Sequence, residues 1–234
     1  MLNAKFYSSL GSKYEDAFAH DAGLISFIQT VLSDMPPQSL VLDVGCGTGK
    51  PVASSLAAAG HRILGIDISP AMVELSRKAV PSGTFDVADM RSYIPPKGIR
   101  LDAIFNILSL FLLDREGIES MAEKWSSWLP AGGLLCICTM AAEDCSPDEK
   151  GNGYDVDGLC ARDIGFRFMG AQTFITLFTR KGWAALLEKQ GFEILKTMTE
   201  MHSPPEEADS DPEPHFFIVA KKRLESHLAD LAQT

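Results

Sequence analysis

The 234-residue sequence predicts an α/β fold: a doubly wound, mainly parallel sheet with helices on both faces. Two observations predict it. Short apolar runs of strand length alternate with segments whose apolar residues recur at helical spacing, which implies right-handed strand–helix–strand units. Three alternating glycines, Gly45, Gly47 and Gly49, stand between the first of these runs and the helix after it, where a chain must turn sharply.

Taken in order, Leu24, Ile25, Phe27, Ile28, Val31 and Leu32 form the apolar side of an amphipathic helix that Pro36-Pro37 closes. Residues 39–44 (SLVLDV) read as the first strand and 52–59 as the helix after the glycine turn. Residues 62–68 (RILGIDI) are the second strand. Ser69-Pro70 then starts a helix, because a hydroxyl can cap it and proline is tolerated at the first helical position; it runs to about Ala79. Residues 84–87 make a weaker strand and 101–108 a stronger one. Asp114 can cap a helix bearing Ile118, Met121, Ala122, Trp125 and Leu129, and Pro130-Ala131-Gly132-Gly133 releases the chain into a strand over 134–139. From 141 to 179 the alternation stops. That Gly-, Asp- and aromatic-containing stretch is too long for an ordinary connection and is expected to form an inserted lid. Helical spacing returns at Trp183, Leu186 and Leu187 and ends at Gly191; residues 192–199 and 216–220 are the last two of seven strands. The expected divisions are a cap (1–36), a core (37–140), the lid (141–180), completion of the sheet (181–222) and a tail (223–234), either a short helix or frayed.

Composition narrows the function. Hydrophobic residues at 46% and charged residues at 22% describe a packed domain. Lys and Arg number 21 against 31 Asp and Glu, a net charge of -10, which disfavours nucleic acid or an anionic membrane as the partner. No apolar run approaches the ~18 residues needed to cross a bilayer. The first ten residues lack a basic stretch followed by an apolar one, so a cytoplasmic location is expected. Five cysteines without a C-x-x-C pattern imply neither a disulfide framework nor a metal site; Cys136 and Cys138 share a strand face, as buried thiols would.

The segment VLDVGCGTGK (41–50) discriminates among ligands. A dinucleotide fingerprint would need glycine where Lys50 stands, and a phosphate loop would need four residues between Gly45 and Gly49. What remains, D-x-G-x-G-x-G from Asp43, is followed by Asp67 at the end of the second strand, 24 residues on. Asp89 follows in VADMRS after the third strand, and LPAGG precedes the fifth. This set resembles class I S-adenosylmethionine-dependent methyltransferases, over about 41–139, and WAALLEKQGF (183–192) is also typical of the family.

The resemblance implies a Rossmann-like sheet of order 3-2-1-4-5-7-6 with the last strand antiparallel. It implies S-adenosyl-L-methionine as cofactor and S-adenosyl-L-homocysteine as product. Asp43, Gly45, Cys46, Gly47 and Gly49 would cradle the cofactor, Asp67 would take the ribose hydroxyls, and Asp89 and Met90 would take the adenine. Ile68 and Met72 would form an apolar wall, with Asn106, Ile107 and the capping Tyr14 completing the site. Lys50 would lie either near the methionine carboxylate or in solvent.

Methyl transfer from a sulfonium is an in-line displacement, so alignment matters more than acid–base chemistry. The acceptor atom is left open among O, N, S and C. His202 and His215, at the ends of the last two strands, are candidate bases or strand-end solvating groups, and Tyr14 is either a catalytic or a packed tyrosine. Phe111, Met140, Phe166, Arg167, Phe168 and Phe174 are the candidate substrate contacts. Nucleic-acid methyltransferases often carry N-P-P-Y after strand four, where this chain reads NILS. The expected substrate is therefore a small molecule, with the protein a monomer or homodimer. The connection 203–214 holds Glu206, Glu207, Asp209, Asp211 and Glu213 and no Lys or Arg, which favours a neutral or cationic acceptor. Other readings are a cofactor fold reused for a non-methylating reaction such as a cyclase, or a non-catalytic cofactor-binding regulator; an NAD-dependent oxidoreductase is disfavoured by Lys50.

Overall fold

The computed structural model describes residues 3–224; most of the expected tail lies outside them. Three helices open the chain: α1 (Ala4–Leu10), α2 (Lys13–Phe18) and α3 (Ala22–Leu32). Asn3 caps α1 by accepting from the Lys5 and Phe6 N–H groups, and Asp21 caps α3 by accepting from Gly23. Then follow β1 (Leu40–Val44), α4 (Val52–Ala58), β2 (Arg62–Asp67), α5 (Pro70–Ala79), β3 (Thr84–Val87), β4 (Ala103–Ile107), α6 (Arg115–Trp128) and β5 (Leu134–Met140). The caps read from the sequence are formed: Ser69 Oγ accepts from Met72 N–H and Asp114 from Gly117 N–H.

β1 is buried along its whole length, as a parallel strand covered on both faces must be. Leu42 and Val44 pack on the α6 side with Met121 and Trp125, while Val41 packs on the α3 and α4 side with Phe27, Ile28 and Leu56. The alternation of strand side chains thus supplies both core layers. Cys136 and Cys138 share the second layer as buried free thiols.

The sheet closes with β8 (Phe192–His202) and β9 (Glu213–Lys222), preceded by α8 (Arg180–Lys189). Its order is β3-β2-β1-β4-β5-β9-β8, with β9 antiparallel to both neighbours. This is the expected order once two further strands are counted in the chain. Both closing strands extend beyond their expected ends, pairing Glu200 with His215 and His202 with Glu213. Glu213 therefore belongs to a buried strand rather than to an exposed acidic connection.

The two additional strands lie in the segment expected only as an insertion. After the short α7 (Pro147–Lys150), β6 (Cys160–Phe168) and β7 (Ala171–Phe178) form an antiparallel hairpin. Its alternation is hidden in the sequence because β6 carries an irregularity between Ala161 and Ile164, where Asp163 adopts φ 55°. Ile164, Phe166, Ile175 and Leu177 nevertheless pack together over Phe111 and Met140. Arg115 on α6 ties the base of the hairpin through Asp155 and Asp157, and Arg162 bridges Asp155 and Glu116.

Helix α8 meets this base at close range: a Cβ on Gly182 would stand 2.1 Å from the Leu159 carbonyl oxygen. Gly182→Ala is therefore expected to destabilise the protein by about 1–3 kcal/mol, the usual cost of overpacking. Urea unfolding measures it, and an unchanged midpoint would contradict the packing.

Candidate active site

At the carboxyl ends of β1, β2 and β4 the chain encloses a cavity of about 230 Å³. Open parallel sheets bind ligands at such a place, where strand order reverses about β1. The glycine loop forms one wall. Gly45 and Cys46 N–H both donate to the Ile66 carbonyl (2.8 and 3.0 Å), folding the loop over β2. Gly45 has φ 75°, and a Cβ there would fall 2.5 Å from Ser109 Oγ; Gly49 has φ 79° and lies against the Ser76 backbone. Only glycine meets both demands.

Asp67 accepts from Gly47 N–H (3.0 Å) and Ser69 N–H (2.8 Å). Burial raises its carboxyl above the usual range, and these two hydrogen bonds oppose the rise. Asp43, 2% exposed, has an Oδ2 with no hydrogen-bond partner among the described residues. Burial, then the charge of Asp67, pushes its carboxyl up to about 7. A raised carboxyl favours the unliganded fold at low pH: that contribution is whole below about 3.8 and is lost as pH rises through about 7. A cationic ligand group would reverse the penalty. Asp43 does not line this cavity; it borders a small adjoining one of about 30 Å³ that shares Gly45, Gly47 and Tyr14 with it. The loop, with Asp43 beyond it, fits the ammonium-bearing end of an S-adenosylmethionine molecule, and Asp67 fits its sugar.

The other sequence-derived residues divide. Ile68, Met72, Asp89, Met90, Ile107 and Tyr14 line the cavity. Asp89 is clamped by Arg91, whose Nε lies 3.0 Å from both carboxylate oxygens; that hydrogen bond holds the Asp89 carboxyl below its usual range. Asn106 does not reach the cavity wall. It is fully buried, and its Nδ2 donates to the Val44 carbonyl and to Ser109 Oγ, joining the ends of β1 and β4. Cys46 lies behind the loop, 3.6 Å from Ser76 Oγ. Lys50 pairs with Glu15 on α2, tying the loop to the cap.

Tyr7, Ser109, Leu112 and Arg91 also line the cavity and went unmarked in the sequence-derived site. Tyr7 shares the N-terminal capping region with Tyr14, and only Tyr14 matches the tyrosine that the resemblance implies there. Ser109 carried no signal, since it acts through the space that Gly45 leaves.

A further, smaller cavity of about 20 Å³ adjoins the first and shares Tyr7, Tyr14, Leu108 and Leu112 with it. Phe111, Phe166 and Phe168 line it. Phe168, at the hairpin tip, packs within 5.5–6.4 Å ring-centre distance of Phe6, Tyr7, Tyr14 and Phe18, so cap and hairpin meet over the site. Met140 is buried in the core beneath the hairpin, and Phe174 faces solvent at 65% exposure. Arg167 pairs with Asp209 and Asp211. These three expected substrate contacts therefore lie off both cavities. The Arg167 pairs also answer part of the acidic connection's charge.

The two histidines are corrected most. Neither lines either cavity. His215 is fully buried, with Nδ1 2.8 Å from Asp21 Oδ2 and Nε2 2.8 Å from Glu213 Oε2. Burial alone would lower its pKa, but hydrogen bonds and charges from Asp21 and Glu213 outweigh it and raise the imidazolium to about 9. With both nitrogens engaged, no site remains to take a substrate proton. His202 Nε2 meets the Ala17 carbonyl at 3.2 Å, and its ring stacks on His215.

The comparisons with known proteins agree with this geometry. Residues 41–133 match the family model described as a methyltransferase domain. Over 102 residues, 42% of this chain and 38% of that protein, the chain is 34% identical to the trans-aconitate 2-methyltransferase of Paracidovorax citrulli (strain AAC00-1). Over 97 residues, 42% of this chain and 32% of that protein, it is 42% identical to the 18S rRNA (guanine-N(7))-methyltransferase of Bos taurus. The chain spans well under half the length of these curated relatives. Its fold is similar to the crystal structure of 1,6-didemethyltoxoflavin-N1-methyltransferase from Burkholderia thailandensis with bound 1,6-didemethyltoxoflavin and S-adenosylhomocysteine. There the TM-score is 0.65 at 16% identity, covering 94% of this chain and 87% of that one. Residues 41–133 thus match a methyltransferase domain, and the chain shares the fold of a solved methyltransferase. No helix among the described residues is long and apolar enough to cross a membrane.

The Asp21–His215–Glu213 chain has a pH signature. Because His215 is raised from 6.5 to about 9, its stabilisation is whole below 6.5 and lost as pH rises through about 9. The gap in thermal midpoint between the protein and His215→Gln is expected to be wide at pH 6 and to narrow toward pH 10. A gap that stays constant would contradict a charged His215.

Proposed function

We propose that the protein is an S-adenosylmethionine-dependent methyltransferase acting on a small-molecule acceptor. The observation that carries this reading is the union, in one cavity, of the glycine loop, the carboxylate of Asp67 and the apolar wall of Ile68 and Met72, at the carboxyl ends of parallel strands. When bound, the cofactor supplies an electrophilic methyl group on a sulfonium, with a neutral thioether as leaving group.

The chain's own part is to bind, orient and exclude water. Asp67 accepts from the sugar hydroxyls, and the Gly45–Gly49 backbone lets the amino-acid end approach closely. Asp43, in the small adjoining cavity that shares Gly45 and Gly47, supplies negative charge toward its ammonium. Tyr7, Tyr14 and Phe168 shield the reacting end from solvent, which preserves alignment for displacement. Met90 and the Asp89–Arg91 pair border the adenine end.

A small neutral or cationic acceptor is favoured. Among the described residues lining the smaller cavity there is no Lys or Arg to receive an anion, and Glu213 is present. The net charge of -10 argues against a nucleic-acid acceptor.

Calorimetric titration with S-adenosylmethionine is expected to show binding that Asp67→Ala weakens by about tenfold or more, the loss of a charge-assisted hydrogen-bond pair. Absence of binding in the unaltered protein, or unchanged affinity in Asp67→Ala, would overturn the reading. S-adenosylhomocysteine formed in step with a methylated product distinguishes a transferase from a regulator or cyclase.

The raised Asp43 carboxyl adds a pH dependence. Below pH 7 its protonation removes the partner of the ligand ammonium, so cofactor affinity is expected to fall by up to about tenfold per pH unit. Asp43→Asn is expected to bind weakly at both pH 6 and pH 8. Equal affinity of the unaltered protein at the two pH values would contradict the pairing.

A further inference from the structure

We propose that the smaller cavity is the acceptor subsite and that it receives an amine bearing at least one N–H, held by the free carboxylate oxygen of Glu213. The proposal rests on the methyltransferase reading for its chemistry, but on separate residues for its site.

Glu213 lines this cavity and is 1% exposed. Its Oε2 is occupied by His215 Nε2 at 2.8 Å, while Oε1 is buried with no hydrogen-bond partner among the described residues. Thr173, 3% exposed on β7, lines the same cavity, and its Oγ1 is likewise unpartnered. Two residues from different elements thus line one space, each with a buried polar atom that has no partner among the described residues. A native fold rarely leaves such atoms unpaired, because the lost hydration is not returned. A volume of about 20 Å³ admits one group of the size of a water or an amino group.

The surrounding walls choose the class of that group. Tyr14, Phe18 and Phe168 present aromatic surface beside the carboxylate. A carboxylate with aromatic faces attracts an N–H donor or cation and repels an anion. A hydroxyl can also donate to Oε1 and accept from Thr173, but as a neutral group it gains no charge-assisted bond to the carboxylate. An amine gains one in its protonated form and attacks in its neutral form, whose lone pair is free.

The buried chain behind Glu213 explains why the carboxylate holds still. Asp21 on the cap and His215 on β9 fix Oε2, so Oε1 is presented in one orientation. In the transfer, the neutral amine's lone pair forms the N–C bond as the C–S bond breaks, its electrons passing to sulfur. The ammonium so formed gives its N–H proton to Glu213 Oε1, and the proton leaves to water with the product. No oxidant or further co-reactant is required.

The test compares methylamine, methanol and formate as probes on the full chain, by calorimetry with and without saturating S-adenosylhomocysteine. Methylamine is expected to bind about tenfold or more tightly than methanol, with formate weakest. Glu213→Gln is expected to bring the amine-to-alcohol ratio to about one while S-adenosylhomocysteine affinity stays within about twofold. Thr173→Val leaves the Asp21–His215–Glu213 chain intact and is expected to weaken methylamine by about threefold to tenfold. It decides the matter should Glu213→Gln fail to fold. Methanol or formate binding as well as methylamine, or an amine preference unchanged in both variants, would overturn the subsite, as would the absence of any heat of methylamine binding. Failure of S-adenosylhomocysteine to bind would instead overturn the methyltransferase reading, with the amine ratio still judging the subsite.

Discussion

The reversal of strand order at β1 is the constraint on which the rest depends. The chain winds from β1 through β2 to β3 in one direction and from β4 to β5 in the other, all parallel. Right-handed crossovers then place helices on both faces and leave a crevice at the carboxyl ends, where loops diverge. The β1–α4 loop turns into that crevice because the Ile66 carbonyl takes two of its N–H groups and Asp67 takes a third. Each of these contacts requires β1 and β2 to be adjacent and in register, as Val44 and Ile66 are. The cavity is therefore a consequence of the sheet rather than an addition to it.

A second layer closes over this crevice. The cap is joined to the sheet through Asp21, His215 and Glu213, three ionisable groups buried together. Burying charges is costly unless each is paired, and here the imidazolium answers two carboxylates. The arrangement leaves one oxygen of Glu213, a residue that lines the smaller cavity, without a partner among the described residues. At the hairpin tip, the Arg167 and Met169 N–H groups donate to Asp211 Oδ2 and Ser210 Oγ, docking β6 onto the connection between β8 and β9. Cap and hairpin thus close over the smaller cavity, and the connection braces the hairpin from behind.

What the sequence disclosed follows from how local each signal is. Ser69, Asp114 and the glycines of 45–49 act on their own neighbours, so their roles could be read from spacing alone. The core strands were legible because each is a short apolar run set against a helix, whereas their order came only with the resemblance that the glycine loop and its acids carry. The hairpin was not: Asp163 and Gly165 interrupt the alternation of β6, and its apolar residues find their partners on β7 and in Phe111. The histidines misled for the same reason. Position on a strand end suggests exposure, but whether His215 meets solvent depends on Asp21, 194 residues away in the chain. Glu213 was counted among five acidic residues of a solvated connection, and only the longer pairing of β8 with β9 moves it inside.

A crystal structure with S-adenosylhomocysteine bound measures most directly where the cofactor lies. The predicted result is ligand density in the cavity between the Gly45–Gly49 loop and Met90, with its sugar hydroxyls on Asp67 and its ammonium toward Asp43. Density at another surface, or a cavity still empty at saturating ligand, would contradict it.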